Sequence, residues 1–517
     1  MRMSNKIMNK LHIKLLFLAI GIFGCQSPKS FKPIDLIELT IMDIHQNYEK
    51  DIYNSQQLVK AYLNRIKRFD KQTNAVSILN PNAVSIAKEL DEEYKRTKIL
   101  RPLHGIPLIV KDNINTKNLP TTGGALALRD FVPDEDAFII QKLVDAGAII
   151  IAKSNMAEWA FSPMHTESST KGITRNPYNL DYVPAGSSGG TASSIAGNLA
   201  VIGLGTDTGN SIRGPSSHCS LVGFRTTLGL ISRSGIIPLF LRNDVVGPMC
   251  RTVEDATRVM EIMTGIDPKD QLTNNSKGKT PSNYSQFLIK DGLRGSRVGV
   301  LRELSDENID PQISALFEKA ILDLDSLGAE IVDPVDIIAF STLRQNQWCA
   351  SFRKDVESYL ATYVKRDTMK TVEDIIRVGT TSQFSKGRLL SFLNKNTRWG
   401  DEEEECLDAY NDPRRIAFRK AIESLMDSLK IDAIIYPSWN NKPARIDFFE
   451  EEYKGDNNQV IAPHTGQPAF TVPMGFTKDN LPVGLQFLGK MYDEPTLIKL
   501  AYSYEQGTKH RKPPTKN

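Results

Sequence analysis

Apolar side chains in this chain recur with two periods, one typical of amphipathic helices and the other of buried strands. In residues 55–69 they return every three or four positions, which predicts a helix packed on a core. Asn80 and Pro81 predict the start of a second helix, because proline suits the first helical position. The helical spacing returns in residues 138–146, 310–327 and 494–506.

Short apolar runs between these helices predict strands. They are residues 106–110, 148–152, 199–204, 297–301, 433–436, 470–472 and 483–488. Strands that alternate with helices favour an α/β fold with a parallel or mixed central sheet. Residues 340–460 carry a helical pattern rich in charge and no catalytic motif, which suits a cap over one end of the sheet.

Composition agrees with one large folded domain. The chain has 517 residues, of which 40% are hydrophobic and 24% charged, close to the average of soluble globular proteins. No long linker interrupts the apolar content. We therefore expect a single domain over residues 51–507, followed by a tail at residues 508–517.

The first 24 residues have the composition of an export signal. Four basic residues precede the apolar stretch 15–24, which is too short to span a bilayer and has the length of a signal h-region. We expect residues 1–24 to be a signal peptide, whose removal changes the formal charge from +3 to −1. That near-neutral balance gives no electrostatic reason to expect nucleic-acid binding. The basic residues are Arg2, Lys6, Lys10 and Lys14.

The residues that follow resemble a lipidation site. Ile22-Phe23-Gly24-Cys25 is similar to the lipoprotein box of bacteria, in which the Cys becomes the lipidated first residue of the mature protein. A small residue is usual where Phe23 stands. We expect export to the bacterial cell envelope and a membrane anchor through lipid on Cys25, with residues 25–50 as lipidated N-terminus and tether. The alternatives are a cleaved signal beside an incidental Cys, and an uncleaved anchor or cytoplasmic start.

The other cysteines show no metal-binding pattern. Cys219, Cys250, Cys349 and Cys406 include no Cys-x-x-Cys pair, and no His stands at zinc-finger spacing. An oxidising compartment would permit a disulfide among them, and the sequence leaves both pairing and free buried thiols open. We expect neither a metal nor an organic cofactor.

Three separated segments carry residues suited to acyl transfer. They hold Lys111 after an apolar run, Ser187 and Ser188 in Ala-Gly-Ser-Ser-Gly-Gly (185–190), and Ser211 in Gly-Thr-Asp-Thr-Gly-Asn-Ser-Ile-Arg-Gly-Pro (205–215). Amide hydrolysis needs a nucleophile, a base and donors for the oxyanion. Ser211 is the predicted nucleophile, because its Gly-rich turn lets backbone N–H groups converge. The predicted oxyanion donors are the amides of Thr208, Gly209, Asn210 and Ser211.

In this order the three segments resemble the amidase signature family, whose members hydrolyse amides with a Ser-Ser-Lys triad. The resemblance covers residues 55–507. It implies a large twisted mixed sheet covered by helices on both faces, and a small-molecule amide as substrate. It also implies that Ser187, held in a cis peptide, relays protons between the nucleophile Ser211 and the base Lys111. Ser188 would help to orient the lysine.

Lys111 must be uncharged to accept a proton. A lysine at its ordinary pKa of about 10.4 is neutral only about four times in ten thousand at pH 7. Burial beside Ile109 and Val110, with hydroxyls and not carboxylates for neighbours, is a way to lower the pKa of Lys111. A pKa lowered by roughly 3 would correspond to about 4 kcal/mol. Asp112 is next in sequence, but a strand points it to the opposite face.

Two positions depart from the family pattern, which usually has Gly where Ala185 and Asn210 stand. Neither change removes a catalytic side chain. Asn tolerates positive φ better than other non-Gly residues, so the turn can survive, while its side chain narrows or polarises the pocket. Asp207 and Arg213 are candidates for a supporting ion pair in the same turn.

Three other functions compete with this interpretation. Residues 186–190 also fit Gly-x-Ser-x-Gly, the nucleophile elbow of α/β-hydrolases. The protein would then be an esterase with Ser188 as nucleophile and His464 as a triad member. A lipid-anchored binding protein of the same fold without activity is the second, and the cytoplasmic amidotransferase subunit that makes amidated tRNA is the third. The sequence indicates neither the particular substrate nor the oligomeric state. We expect substrate preference to lie in residues 160–185 and 340–460.

Overall fold

The structure, a computed structural model, describes residues 33–306, 308–393 and 406–515. The predicted signal peptide, residues 1–24, and Cys25 lie outside these ranges. Two units divide the chain, Met1–Asp35 and Leu36–Asn517, and the helices and strands of the described residues belong to the second. No helix in the described ranges is long and apolar enough to cross a membrane.

In the described chain, eleven strands form one mixed sheet and two short strands pair separately. In chain order the strands are β1 Val76–Leu79, β2 Pro107–Lys111, β3 Ile149–Ser154, β4 Glu167–Ser168, β5 Gly172–Ile173, β6 Ile202–Asp207, β7 Val222–Arg225, β8 Val245–Cys250, β9 Arg297–Val300, β10 Glu330–Val332, β11 Ala433–Pro437, β12 Ala469–Phe476 and β13 Pro482–Leu488. The order across the sheet is β1-β3-β2-β6-β8-β7-β12-β13-β11-β9-β10, and β4 pairs with β5. β2 runs parallel to β3 and β6, and β9 to β10 and β11, while the other neighbours are antiparallel.

Helices surround this sheet. Those predicted to begin at residues 55, 138, 310 and 494 begin within one residue of these positions. The prediction of a large mixed sheet with helices around it is confirmed. The α-helices of the described residues are α1 Ile41–Glu49, α2 Ser55–Thr73, α3 Ala83–Thr97, α4 Phe138–Asp145, α5 Gly189–Ala196, α6 Arg213–His218, α7 Val253–Met263, α8 Pro311–Ser326, α9 Phe340–Leu343, α10 Phe352–Tyr359, α11 Val372–Val378, α12 Gln383–Ser391, α13 Pro413–Leu429, α14 Ala462–Thr465 and α15 Glu494–Thr508.

Three neighbouring parallel strands position the chemistry. β2, β3 and β6 are buried along their whole length, which explains their continuous apolar sequences. Val110 of β2 lies opposite Leu204 of β6. Because the carboxyl ends of parallel strands meet at one edge of the sheet, Lys111 at the end of β2 and the turn after β6 share that edge.

The folded unit is longer at both ends than the predicted domain of residues 51–507. Leu36 and Ile41 are buried, and α1 lies within the range predicted as a tether. Arg511, in the predicted tail, forms a salt bridge with Glu38 at 2.7 Å and donates to the carbonyl oxygen of Ser220 at 2.5 Å. The fold therefore extends past both predicted boundaries, since buried apolar contacts precede residue 51 and ion pairs follow residue 507.

A disulfide joins Cys349 and Cys406, whose Cα atoms are 5.8 Å apart. Cys219 and Cys250 are free and buried. The bonded cysteines are separated by 57 residues in sequence and lie in no recognisable motif, so the pairing could only be seen in the fold. Among the described residues, no group of three His, Cys, Asp or Glu side chains is arranged to hold a metal ion.

Candidate active site

Lys111 ends strand β2 with a fully buried side chain. Its Nζ lies 2.8 Å from Ser187 Oγ, 2.8 Å from Thr206 Oγ1 and 3.4 Å from the carbonyl oxygen of Thr206. These partners are all uncharged. The lysine is therefore surrounded by groups that can bond a neutral amine, and none of them favours the cation as a carboxylate would.

Burial lowers the pKa of Lys111 to about 7, although the charges of Asp207 and Asp244 act in the opposite direction. The prediction that burial lowers this pKa is confirmed. The neutral amine is then far more populated at neutral pH than it is for a lysine in water. Asp112 contacts other groups, accepting a hydrogen bond from Thr122 Oγ1 at 2.5 Å. Lys111 can therefore serve as a general base.

Ser187 and Ser188 lie in a tight turn that leads into α5. The peptide bond between Gly186 and Ser187 is cis. A Cβ at Gly186 would lie 2.2 Å from the carbonyl oxygen of His165, so only glycine fits there. Ser188 Oγ lies 3.3 Å from the carbonyl oxygen of Thr206 and 3.4 Å from its amide nitrogen. Ser188 thus holds the backbone beside Lys111 and not the lysine itself.

Ser211 lies in the turn between β6 and α6, with 5% of its surface exposed. Its hydroxyl donates a hydrogen bond to Asn210 Oδ1 at 3.3 Å. In the part of the chain that the structure describes, the backbone N–H groups of residues 208–211 donate no hydrogen bond. Unpaired backbone donors are rare inside proteins, and beside a hydroxyl nucleophile they are what an oxyanion hole requires.

Buried ion pairs hold this turn. Asp207 accepts from Arg213 Nε at 3.1 Å and from Arg225 Nη1 at 2.8 Å, and all three side chains are buried. Arg213 also donates to the carbonyl oxygen of Gly209 at 2.7 Å. Burial alone would raise the pKa of Asp207, but Arg213 and Arg225 lower it to about 2. The carboxylate stays ionised and fixes the turn. The sequence points to Arg213 but not to Arg225.

One carbonyl oxygen bridges the two serine loops. Pro163 O accepts from the amide of Gly186 at 3.0 Å and from Asn210 Nδ2 at 3.2 Å. The Lys111–Ser187 pair and the Ser211 turn are thereby held side by side. Within the described residues no hydrogen bond joins the two serine hydroxyls, since that of Ser187 meets Lys111 and that of Ser211 meets Asn210.

The two departures from the family pattern have different consequences. Ala185 adopts a positive φ of 61°, the left-handed conformation that glycine takes readily. Asn210 has no positive φ, so its turn does not use the left-handed conformation that asparagine tolerates. The side chain of Asn210 is ordered by two acceptors, Pro163 O and Asp456 Oδ2, the latter at 2.9 Å. This side chain does polarise the space next to Ser211.

Thr206, Asn113 and Asp244 also belong to the site, although the sequence analysis gives them no role. Thr206 Oγ1 accepts from Lys111 Nζ and, at 3.1 Å, from Asn113 Nδ2. Asp244 accepts from Thr208 Oγ1 at 2.5 Å, and burial raises the pKa of Asp244 to about 6. Thr206 lies in the Gly-rich motif, where strand alternation could have indicated it. Asp244 precedes β8 and carries no sequence signal.

Two side chains from residues 340–460 lie over the Ser211 turn. A Cβ at Gly209 would lie 3.1 Å from Trp348 Cη2 and 3.2 Å from Gln459 Oε1. Trp348 packs against an aromatic cluster that includes Phe352. Trp348 and Gln459 therefore form a wall next to the predicted oxyanion donors.

The nucleophile-elbow alternative finds no support in this geometry. The hydroxyl of Ser188 contacts the backbone of Thr206, whereas the ring of His464 packs edge-on against Trp348, with centroids 4.6 Å apart. Burial lowers the pKa of His464 well below its usual value. Its Nδ1 has no hydrogen-bond partner among the described residues. Ser188 and His464 do not form a nucleophile–base pair.

Comparisons with known proteins identify the family of the chain. Residues 57–498 match the Amidase family. The chain is 32% identical over 501 residues to a probable amidase of Arabidopsis thaliana, covering 92% of this chain and 91% of that protein. It is 33% identical over 485 residues to a glutamyl-tRNA(Gln) amidotransferase subunit of Alkaliphilus metalliredigens (strain QYMF), covering 91% of this chain and 96% of that protein. The native peptide amidase from Stenotrophomonas maltophilia has a similar structure, with a TM-score of 0.81, 33% identity, and coverage of 93% of this chain and 99% of that one.

The family match and the fold are those of amidase enzymes, which act on carbon–nitrogen bonds. The chain belongs to the amidase signature family. The family resemblance drawn from the three motifs is thereby confirmed.

Proposed function

We propose that this chain hydrolyses amides through an acyl-enzyme, with Ser211 as nucleophile, Ser187 as proton relay and Lys111 as base. The observation that carries the proposal is the 2.8 Å contact between Lys111 Nζ and Ser187 Oγ in a fully buried site. An amine with a pKa of about 7 is neutral often enough to accept a proton from a chain of hydroxyls.

The reaction starts when the Ser211 hydroxyl rotates from Asn210 toward Ser187. Ser211 Oγ then attacks the amide carbonyl carbon while its proton passes to Ser187, and the proton of Ser187 passes to neutral Lys111. The free N–H groups of residues 208–211 bind the oxyanion, each worth on the order of 3 kcal/mol. Collapse of the intermediate breaks the C–N bond, and the proton returns through Ser187 to the departing amine. Water, deprotonated by the same relay, hydrolyses the ester and regenerates Ser211.

Substitution of the two ends of the relay tests this mechanism. In Ser211→Ala and in Lys111→Ala, turnover is expected to fall by more than ~10³-fold while the circular dichroism spectrum stays that of the wild type. Ser194→Ala is the matched control, because Ser194 is buried in α5 and its hydroxyl has no partner among the described residues. A fluorophosphonate probe should label Ser211 in the wild type. Amidase activity in either of the first two variants would contradict the mechanism.

Linear amides are the proposed substrate class. The test is an assay of the purified protein with a panel of aryl, fatty, small aliphatic and peptide amides together with glutamine. Peptide amides are included because of the similar peptide amidase, and glutamine because of the 33% identical amidotransferase protein. Hydrolysis of any of the other amides supports a free-standing amidase, whereas turnover of glutamine alone favours an amidotransferase component. The absence of both labelling and cleavage would favour the lipid-anchored binding protein.

The proposed location is the bacterial cell envelope, with the chain anchored to the membrane through lipid on Cys25. The support is the basic start of residues 1–24, their apolar stretch, and Cys25 directly after Gly24. Cys25→Ser is expected to abolish incorporation of an alkynyl fatty acid and to release the protein from the membrane fraction. Labelling that persists in this variant would refute the assignment of Cys25.

A further inference from the structure

We infer that the side chain of Asn210, oriented by Asp456, accepts a hydrogen bond from the N–H group of the scissile amide and so makes the site selective for amides over esters. The inference rests on the proposed role of Ser211 as nucleophile. Asn210 directly precedes Ser211 in the turn between β6 and α6.

The orientation of the Asn210 amide is fixed by its surroundings. Its Nδ2 faces the carbonyl oxygen of Pro163 at 3.2 Å and Asp456 Oδ2 at 2.9 Å. A carbonyl oxygen and a carboxylate only accept hydrogen bonds, so the NH₂ group must be the end that meets them. Asn210 Oδ1 is then the atom that faces Ser211, and it accepts a hydrogen bond from the Ser211 hydroxyl at 3.3 Å.

Asp456 is itself held in place. Its carboxylate accepts from Tyr453 OH at 2.9 Å, from Gln459 Nε2 at 2.9 Å and from Asn458 Nδ2 at 3.0 Å. With Asn210 this makes four donors around one carboxylate. Such a satisfied network leaves the oxygens of Asp456 little freedom to turn, so the Asn210 amide is preorganised before substrate binds.

The oxygen of the Asn210 amide lies on the side of Ser211 on which we place the scissile nitrogen of the substrate. When Ser211 Oγ bonds the carbonyl carbon of the substrate, the scissile nitrogen is two bonds away from Oγ. In the structure Asn210 Oδ1 is 3.3 Å from Oγ and accepts a hydrogen bond from the hydroxyl. That hydrogen bond is lost once the hydroxyl turns toward Ser187 and gives up its proton. An N–H group on the scissile nitrogen can then donate a hydrogen bond to Asn210 Oδ1 in place of the hydroxyl. The nitrogen lone pair then stays free for the proton that returns through Ser187.

An ester lacks this interaction. Its scissile atom is an oxygen that cannot donate, so two oxygens with lone pairs would face each other and Asn210 Oδ1 would be left unpaired. A site built to bond a donor rejects the analogue without that donor more strongly than an apolar site can. The amide-to-ester ratio of kcat/KM is therefore the quantity that Asn210 controls.

The experiment compares each amide with the methyl ester of the same acyl group. The pairs are benzamide with methyl benzoate, hexanamide with methyl hexanoate, and an N-acetyl dipeptide amide with its methyl ester, and the pair with the fastest amide turnover is used. In Asn210→Gly, the amide-to-ester ratio of kcat/KM is expected to fall about tenfold, as for the loss of one hydrogen bond. A side chain that only orients Ser211 would slow both reactions alike and leave the ratio unchanged.

Two further variants complete the test. In Asp456→Asn the partner of Asn210 Nδ2 loses its charge but keeps one acceptor oxygen. The amide-to-ester ratio of kcat/KM is therefore expected to fall by about two- to threefold. Asn118→Gly is the matched control, because Asn118 is exposed and its φ of 68° suits glycine. An unchanged ratio in Asn210→Gly overturns the inference, as does an unchanged ratio in Asp456→Asn should Asn210→Gly fail to fold. Activity in Ser211→Ala overturns instead the proposed function.

Discussion

At the scale of the residue, two fully buried lysines show how surroundings decide what an amine does. Lys111 Nζ contacts hydroxyls and a carbonyl oxygen. Lys153 Nζ lies 3.8 Å from Asp112 Oδ1 and donates to the carbonyl oxygen of Ile114 at 2.6 Å. Burial lowers the pKa of Lys153 to about 8 even though the charge of Asp112 raises it. Lys153 is an internal cation that braces the loop after β2, whereas Lys111 has only uncharged partners.

The pH dependence of turnover follows from Lys111. Only its neutral form accepts a proton, and burial places its pKa at about 7. We therefore expect kcat/KM to rise with pH through an apparent pKa of about 7 and to fall about tenfold for each pH unit below it. The measurement is a pH profile of kcat/KM for the best amide of the panel, and a profile that stays flat from acid to alkaline pH would refute Lys111 as the base.

The same contrast predicts opposite effects on stability. Lys153→Met leaves Asp112 without its cation and Ile114 O without its donor, so the free energy of unfolding is expected to fall by about 3 kcal/mol. Lys111→Met leaves no buried charge without a partner and removes an amine whose burial is unfavourable. The free energy of unfolding of this variant should therefore match or exceed that of the wild type. Urea denaturation of both variants measures the difference. Equal losses in the two variants would show that Lys111 is also a structural cation.

At the scale of the element, α5 is placed by a glycine that touches backbone on two sides. A Cβ at Gly190 would lie 2.1 Å from the carbonyl oxygen of Asn155 and 2.7 Å from that of Ala75. Gly190→Ala is therefore expected to cost at least ~3 kcal/mol of unfolding free energy and to displace the serine loop. In α12, Gly387 is exposed and meets nothing within 4 Å. Gly387→Ala is the matched control and should stabilise the protein by about 0.5–1 kcal/mol.

Sequence patterns identify the elements of this fold unevenly, and the reason is physical. β2, β3 and β6 are buried on both faces, so their apolar runs are visible in the sequence. β8 contains Gly247 and Pro248, which count against a strand, and its central position in the sheet could not be expected. β7 ends in the buried Arg225, which pairs with Asp207 of β6 and donates to the carbonyl oxygen of Asn243. A short pattern cannot show a partner that another strand supplies.

Some residues of the candidate site could be predicted from the sequence, and others could be found only from the fold. Lys111, Ser187 and Ser211 could be named from motifs because each sits in a local segment with its own glycine or apolar signature. Pro163 and Asp456 reach the site through the fold, on loops that lie far from Asn210 in sequence. Their chemistry, one carbonyl oxygen and one carboxylate, is too common to be recognised without knowing what it faces.

At the scale of the whole molecule, a disulfide ties together remote parts of the chain. Cys349 and Cys406 are 57 residues apart in sequence. Closing a loop of that length restricts the unfolded chain, which the chain-entropy relation values at about 4 kcal/mol at 25 °C. We expect the double variant Cys349→Ser/Cys406→Ser to lose about 2–4 kcal/mol of unfolding free energy in urea denaturation. Cys219→Ser, which alters a buried free thiol, is the control for loss of sulfur alone.

The position of this bond predicts a kinetic effect as well. Cys349 follows Trp348, whose ring edge would lie 3.1 Å from a Cβ at Gly209. A wall that contacts bound substrate but not the reacting atoms affects ground and transition states alike, so opening the disulfide should raise KM several-fold and leave kcat nearly unchanged. Steady-state kinetics of the oxidised wild type and the double variant separate the two constants. A fall in kcat at constant KM would mean that the disulfide supports the Ser211 turn itself, and an unchanged KM would remove Trp348 from the substrate wall.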